Sequence, residues 1–186
     1  MQRMNVEPYD GGYFSHLAPL TAAISATAGP VLELGCGWGS TPVLSAMCHV
    51  MRRRLVTIET QQLFFERFVR TFKHEILCLG GDPDRFRHNG EFEQAWSALP
   101  TVILSTFWSV TFIDFYPGEA RKDAIRLLAD KSEIIIAHDA ECDGKHGGGG
   151  NYDYDSVTPS FRYVSYYRTM TPVTLLLSNR RDVNAL

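Results

Sequence analysis

The chain has 186 residues, 45% of them hydrophobic and 21% charged, with a net charge of −3 and an isoelectric point near 6.1. That length fits one domain with a real core, and the charge balance excludes a broad electrostatic footprint for nucleic acid. No signal peptide heads the chain and no apolar run reaches the roughly 18 residues of a membrane span, so a soluble, cytoplasmic protein is expected.

Residues 1–12 are polar, end in Gly11-Gly12, and read as a loosely held arm. Residues 16–28 read as a helix stopped by Gly29-Pro30. Val31–Leu34 is a short apolar run typical of a buried parallel strand. Gly35-Cys36-Gly37-Trp38-Gly39 follows, and its alternating glycines permit a sharp turn and a close approach of ligand to backbone. Thr41 as N-cap with Pro42 at the first helical position then starts a helix over 42–51. Strand, glycine turn and helix N-terminus together describe a nucleotide-type site at the C-terminal edge of a parallel strand.

Arg52-Arg53-Arg54 closes that helix. The run complements the helix dipole, and it falls at the end of the sheet away from the glycine turn. The second strand, 55–59, ends in Glu59, twenty residues after Gly39. Residues 61–78 read as a helix whose apolar stripe is Leu63, Phe64, Phe68, Phe72 and Ile76. After a turn at Gly80–Pro83 a third strand is expected at Arg85–Asn89, followed by Gly90-Glu91-Phe92 and a short helix over 92–98.

The fourth strand, 109–113, runs into Asp114. An amphipathic helix over 119–130 turns Ile125, Leu127 and Leu128 inward, and the fifth strand, 133–137, runs into His138-Asp139. Residues 142–160, with four successive glycines, read as a flexible loop over the site. Phe161–Thr169 and Pro172–Leu177 alternate like two strands joined by a tight turn at Met170-Thr171. There is no internal repeat, so residues 1–186 form one domain with an N-terminal arm and helix over 1–28. Cys36, Cys48, Cys78 and Cys142 show no CxxC pair and read as free thiols.

The glycine spacing selects among ligands. The glycines run G-x-G-x-G, not G-x-G-x-x-G, and no phosphate-binding G-x-x-x-x-G-K-[ST] occurs. Glu33, two residues before Gly35, would repel a pyrophosphate and suits an ammonium group. A carboxylate at Glu59 can accept both hydroxyls of a ribose. A ligand with an ammonium at one end and a ribose further along is S-adenosylmethionine. On Glu33, Gly35, Gly37, Gly39 and Glu59 the chain resembles the class I (Rossmann-like) S-adenosylmethionine-dependent methyltransferases, over roughly residues 29–180.

The resemblance implies an α/β fold: a doubly wound, mostly parallel seven-stranded sheet with an antiparallel C-terminal hairpin and helices on both faces. It implies that Glu33, Gly35, Cys36, Gly37, Gly39 and Glu59 line the cofactor, with Glu91 and Phe92 beside its adenine. Asp114, His138 and Asp139 would face the transferred methyl group, with an oxygen of a small molecule as acceptor. Catechol-type members hold a divalent metal with an acid after strand four and an Asp-Asn pair after strand five. Here the pair is Asp139-Ala140, so one ligand is missing unless Glu141 or His138 replaces it; without a metal, His138 or Asp139 is the general base. Tyr9, Tyr13, His16, Tyr152 and Tyr154 are candidates for the acceptor pocket wall. Two other readings stay open: a methyltransferase-fold binding or scaffold protein without catalysis, and an aminopropyltransferase using Asp139, Glu141 and Asp143. Oligomeric state is left open.

Overall fold

Short apolar strands buried on both faces organise the chain. In the computed structural model, which describes residues 14–79, 101–141 and 152–186, the elements follow in this order. They are α1 (Leu17–Ala26), β1 (Val31–Leu34), α2 (Ser40–Val50), β2 (Leu55–Glu59), α3 (Gln62–Thr71) and β3 (Glu75–Cys78). Then come α4 (Thr101–Ser105), β4 (Trp108–Ile113), α5 (Arg121–Leu128), β5 (Ser132–Ala137), β6 (Tyr163–Tyr167) and β7 (Thr174–Ser178). The strands form one seven-stranded sheet in the order β3-β2-β1-β4-β5-β7-β6. Neighbours from β3 to β5 are parallel, while β7 runs antiparallel to both β5 and β6.

Alternation along the strands divides the core in two. Val31, Phe112, Ile134 and Ile136 pack on one face with Leu20 and Ile24 of α1 and Leu44 of α2. Leu32, Leu34, Ile58, Ile113 and Ile135 pack on the other with Ile125 and Leu128 of α5. Helices on both faces and a crossover between β1 and β4 make the sheet doubly wound, as expected. No described helix is long and apolar enough to cross a membrane.

Several expectations are corrected. The third strand is Glu75–Cys78, not Arg85–Asn89, which lies outside the described residues together with the turn at Gly80–Pro83 and the helix over 92–98. The helix expected to reach 78 ends at Thr71, where Phe72 turns extended. Phe64, Phe68 and Phe72 do stack along it at 6.2 and 5.7 Å. Ile76, read as the last member of that stripe, instead pairs with Thr57 of β2 and meets Phe68 from the strand side. A four-residue apolar run satisfies either periodicity, and the free edge of β2 decides it.

Leu127 is exposed, and Ala124 joins Ile125 and Leu128 in the core. Helix α2 begins at Ser40 with Gly39 as its N-cap, so Thr41 is not the cap. Of the supposed loop over 142–160, the described part is packed: Tyr154–Ser156 and Thr158–Ser160 form tight turns, and Tyr154, Val157 and Phe161 are buried in the core.

The arginine run is divided in its roles. Arg53 donates to the carbonyls of Gly29 at 2.7 Å and Ile24 at 2.6 Å and to the Ser109 hydroxyl, tying α1 and β4 to β2. Arg54 pairs with Glu75 at 2.8 Å. Both contacts lie at the sheet edge opposite the glycine turn.

Candidate active site

Strand register assembles the site. Leu34 lies level with Ile58 and Ile113, and Ile113 with Ala137. The next residues, Gly35, Glu59, Asp114 and His138, therefore emerge along one edge. That edge is the carboxyl end of the sheet where strand order reverses between β1 and β4, the place where open α/β sheets bind ligands.

Gly35 has φ +96°, and a Cβ on it would stand 2.3 Å from the Asp114 carbonyl oxygen. Only glycine brings the turn this close to the end of β4. Gly37 differs: a Cβ there would meet nothing nearer than Ser40 Oγ at 3.4 Å. The Gly37 N–H donates to Thr41 Oγ1 at 2.9 Å. Trp38 is 49% exposed and rests its ring 4.7 Å from Phe68.

Glu33 lies beneath this turn, not at its rim. Its carboxylate is fully buried and accepts from Ser40 Oγ at 2.6 Å, Thr57 Oγ1 at 2.7 Å and Thr41 Oγ1 at 3.0 Å. Burial pushes its pKa up to about 7 against the pull of those hydroxyls. Glu33 thus holds α2 to the strands, and its carboxylate is fully buried beneath the turn, away from the rim where an ammonium is expected.

Glu59 stands at the edge itself. Its Oε2 accepts from the Cys36 N–H at 2.7 Å, and its Oε1 from the Thr60 and Gln61 N–H groups, each at 2.7 Å. Burial raises its pKa despite these bonds. Thr60 Oγ1 adds a fourth, longer contact to Oε1 at 3.4 Å, which fills the roughly four acceptor positions of a carboxylate, so a further hydroxyl reaches Glu59 only by displacing one of these donors. Burial also drives the Cys36 thiol far up, leaving its backbone N–H as its contribution to the turn.

Asp114, His138 and Asp139 do come together. His138 Nδ1 lies 3.2 Å from Asp114 Oδ2 and 3.3 Å from Asp139 Oδ1. Asp139 turns back to reach it with φ +57°, a left-handed conformation that Asp adopts more readily than most residues. Two carboxylate neighbours favour a proton on Nδ1, so that in the neutral ring Nε2 is the accepting nitrogen. Nε2 faces Ser15 Oγ at 2.9 Å. Burial lowers the His138 pKa, but the hydrogen bond to Asp114 and the charges of Asp114 and Asp139 outweigh it, and the net shift is upward.

Arg121 at the start of α5 bridges the two acids, 2.9 Å from Asp114 Oδ1 and 3.0 Å from Asp139 Oδ2. Its Nε donates to the Phe115 carbonyl at 2.8 Å, and Tyr152 lies under its guanidinium at 4.8 Å. Tyr154 donates to the His138 carbonyl at 3.0 Å. Tyr152 and Tyr154 therefore brace this cluster.

The divalent-metal arrangement implied for Asp114 and Asp139 does not fit. A guanidinium already bridges the two carboxylates, position 140 is a buried alanine, and Glu141 Oε1 turns away to accept from the Val173 N–H at 2.7 Å. The same placement of Glu141, with Asp139 committed to Arg121, removes two of the three acids of the aminopropyltransferase reading. Asp143, Tyr9, Tyr13, Glu91 and Phe92 lie outside the described residues.

No family model and no curated protein matches the chain. Solved structures do. An O-methyltransferase from Bacillus cereus in complex with S-adenosylhomocysteine aligns with 94% of this chain and 84% of its own at TM-score 0.54 and 12% identity. An S-adenosylhomocysteine-bound methyltransferase from Podospora anserina aligns with 90% of this chain and 78% of its own at TM-score 0.59 and 13% identity. The O-methyltransferase TomG from Streptomyces achromogenes, in complex with S-adenosylmethionine, aligns with 94% and 92% at TM-score 0.56 and 17% identity. The chain has the class I S-adenosylmethionine-dependent methyltransferase fold.

In this methyltransferase fold the sequence leaves two members of the edge cluster unassigned, Ser15 and Arg121, and names His16 as a candidate pocket wall without placing it beside His138. Arg121 reads from the sequence as one more polar residue at the start of an amphipathic helix. Only the crossover from β4 to β5 brings it beneath both acids.

Proposed function

We propose that the chain is a single-domain, cytoplasmic S-adenosylmethionine-dependent methyltransferase that methylates a hydroxyl of a small molecule. The observation that carries this reading is the shared edge. A glycine turn with an open position at Gly37, an acid at the end of β2, and a histidine between two carboxylates all stand at the strand-order reversal of a methyltransferase fold.

The residues present fit the cofactor. Gly37 presents backbone with no side chain in the way, and at Glu59 a ribose hydroxyl takes the place of the long Thr60 Oγ1 contact at 3.4 Å. Glu33 serves the cofactor indirectly, by fixing the turn through Ser40 and Thr41. S-adenosylmethionine, when bound, supplies an activated methyl carbon and a neutral thioether leaving group.

The chain's own work is to orient the acceptor and take its proton. His138 Nε2 is the base: Asp114 and Asp139 hold Nδ1–H, fix the tautomer, and stabilise the charged ring after proton uptake. Arg121 favours the ionised form of Asp114 and holds both acids in place. An acceptor hydroxyl reaches Nε2 by taking the position that Ser15 Oγ holds in the structure.

The test is transfer of a labelled methyl group to a panel of phenols and catechols. His138→Gln should lower kcat by about 10²–10⁴-fold, the range for loss of a positioned base, with cofactor affinity unchanged. A fully active variant would remove His138 from the mechanism. A wild-type protein that binds cofactor but methylates no hydroxyl would refute the acceptor class.

A further inference from the structure

His16 is the least explained polar residue of the molecule. It directly precedes α1, is only 2% exposed, and neither of its ring nitrogens has a hydrogen-bond partner among the described residues. A buried imidazole left in that state is unusual and calls for a missing partner. Its ring stands edge-on to His138 with centroids 4.7 Å apart, and Phe112 backs its other side at 4.7 Å.

One ligating atom each from His16, His138 and Asp114 lies within 4.8 Å of the others. The Nδ1 of His138 and the Oδ2 of Asp114 are 3.2 Å apart. Two ligands about 2.1 Å from one ion sit roughly 3 to 3.4 Å apart when adjacent, so this pair is already spaced for a shared ion. The charges also allow it. Arg121 engages Asp114 through Oδ1 and Asp139 through Oδ2, leaving one oxygen of each acid turned toward His138. A partner for the other ring nitrogen is in place too. When an ion takes Nδ1, the ring proton moves to Nε2, where Ser15 Oγ at 2.9 Å accepts it.

We propose that His16, His138 and Asp114 form a binding site for a divalent transition-metal ion such as Zn²⁺, Co²⁺ or Fe²⁺. Two imidazoles and one carboxylate suit such ions, whereas Mg²⁺ seeks oxygen ligands. The set differs from an Asp114–Asp139 arrangement in both residues and metal class, because the place between those acids belongs to Arg121. Occupancy leaves Nε2 carrying the proton and unable to accept another. The ion therefore opposes the base role of His138; that consequence rests on the methyl-transfer reading, whereas the site itself does not.

The experiment is titration of the tag-free, metal-stripped full chain with Co²⁺, Zn²⁺ and Mg²⁺, followed by calorimetry and by the visible absorption of bound Co²⁺, without any cofactor. One Co²⁺ or Zn²⁺ per chain should bind in the micromolar range or tighter, with Mg²⁺ at least about 100-fold weaker. His16→Gln should weaken Co²⁺ binding at least about 100-fold, while His49→Gln, an exposed histidine on α2, should not change it. The copper-loaded wild-type chain needs no variant: its electron paramagnetic resonance should show coupling to two imidazole nitrogens. No binding at millimolar ion, equal affinity for Mg²⁺, retention by His16→Gln, or a copper spectrum with fewer than two nitrogens would each overturn the site. Because no cofactor is present, these outcomes are independent of whether the chain transfers methyl groups.

Discussion

Gly35 and Gly37 stand two positions apart in one turn, yet they answer to different demands. Gly35 is required by the fold, since its φ of +96° and the carbonyl 2.3 Å from a Cβ exclude any side chain. Gly35→Ala should therefore lose about 3 kcal/mol or more, read as a fall in the urea midpoint. Gly37 has space, so Gly37→Val should leave the midpoint within about 0.5 kcal/mol of wild type. Equal losses for the two would show that the turn is not built as described. Glu33 makes a prediction in pH. Its folded pKa of about 7 lies above the ordinary 4.5, so the folded state holds the proton more tightly, and stability falls as pH rises between those values by up to roughly 3 kcal/mol. His16, lowered from 6.5 to about 4 by burial, then by the nearby His138, with Asp114 partly offsetting, works the other way: stability rises over that window. The two slopes oppose each other in the wild type. Glu33→Gln removes the falling one, so the change of stability between pH 4.5 and 6.5 should become more positive than in the wild type; an unchanged slope would contradict the burial of Glu33 as a titrating acid.

At the scale of elements, the links between strand ends matter more than any helix. Arg121 joins the ends of β4 and β5 to α5 through Asp114, Asp139 and the Phe115 carbonyl. Arg121→Met would leave two carboxylates facing each other and His138 without their cation. A loss of about 3 kcal/mol at pH 7 is expected, shrinking as pH falls toward the ordinary range of a free Asp. A loss equal at pH 7 and pH 4 would mean that packing, not charge, is what Arg121 supplies. The elements themselves are largely legible: β1, β2, β4 and β5 are apolar runs bounded by turn residues, β1 running into Gly35 and the others into Glu59, Asp114 and His138. β3 is not, because Ile76-Leu77-Cys78 continues the spacing of the Phe64–Phe68–Phe72 stripe, and only the exposed edge of β2 claims it. Tyr154 illustrates the same limit. In a glycine- and aspartate-rich stretch it reads as loop, yet its hydroxyl is needed beneath His138.

For the molecule as a whole, the sheet order explains what one-dimensional reading could and could not reach. Residues that leave consecutive strand ends, such as Gly35, Glu59, Asp114 and His138, are legible because each follows its own strand. Residues brought in by crossovers and by the segment before α1 are less so: Ser15 and Arg121 carry no sequence signal, and His16 is named as a pocket wall while its place beside His138 comes from packing against distant strands. Glu33 was assigned to the right motif but the wrong task, since alternation along β1 points it at α2 and Thr57. The central claim is that the carboxyl edge of this sheet, between Gly37 and Glu59, is built to hold S-adenosylmethionine. Calorimetric titration of the wild type and Gly37→Val with S-adenosylhomocysteine tests it most directly. The account predicts micromolar binding to the wild type and at least about tenfold weaker binding to the folded Gly37→Val. Absence of binding at millimolar ligand, or equal affinity for both, would contradict it.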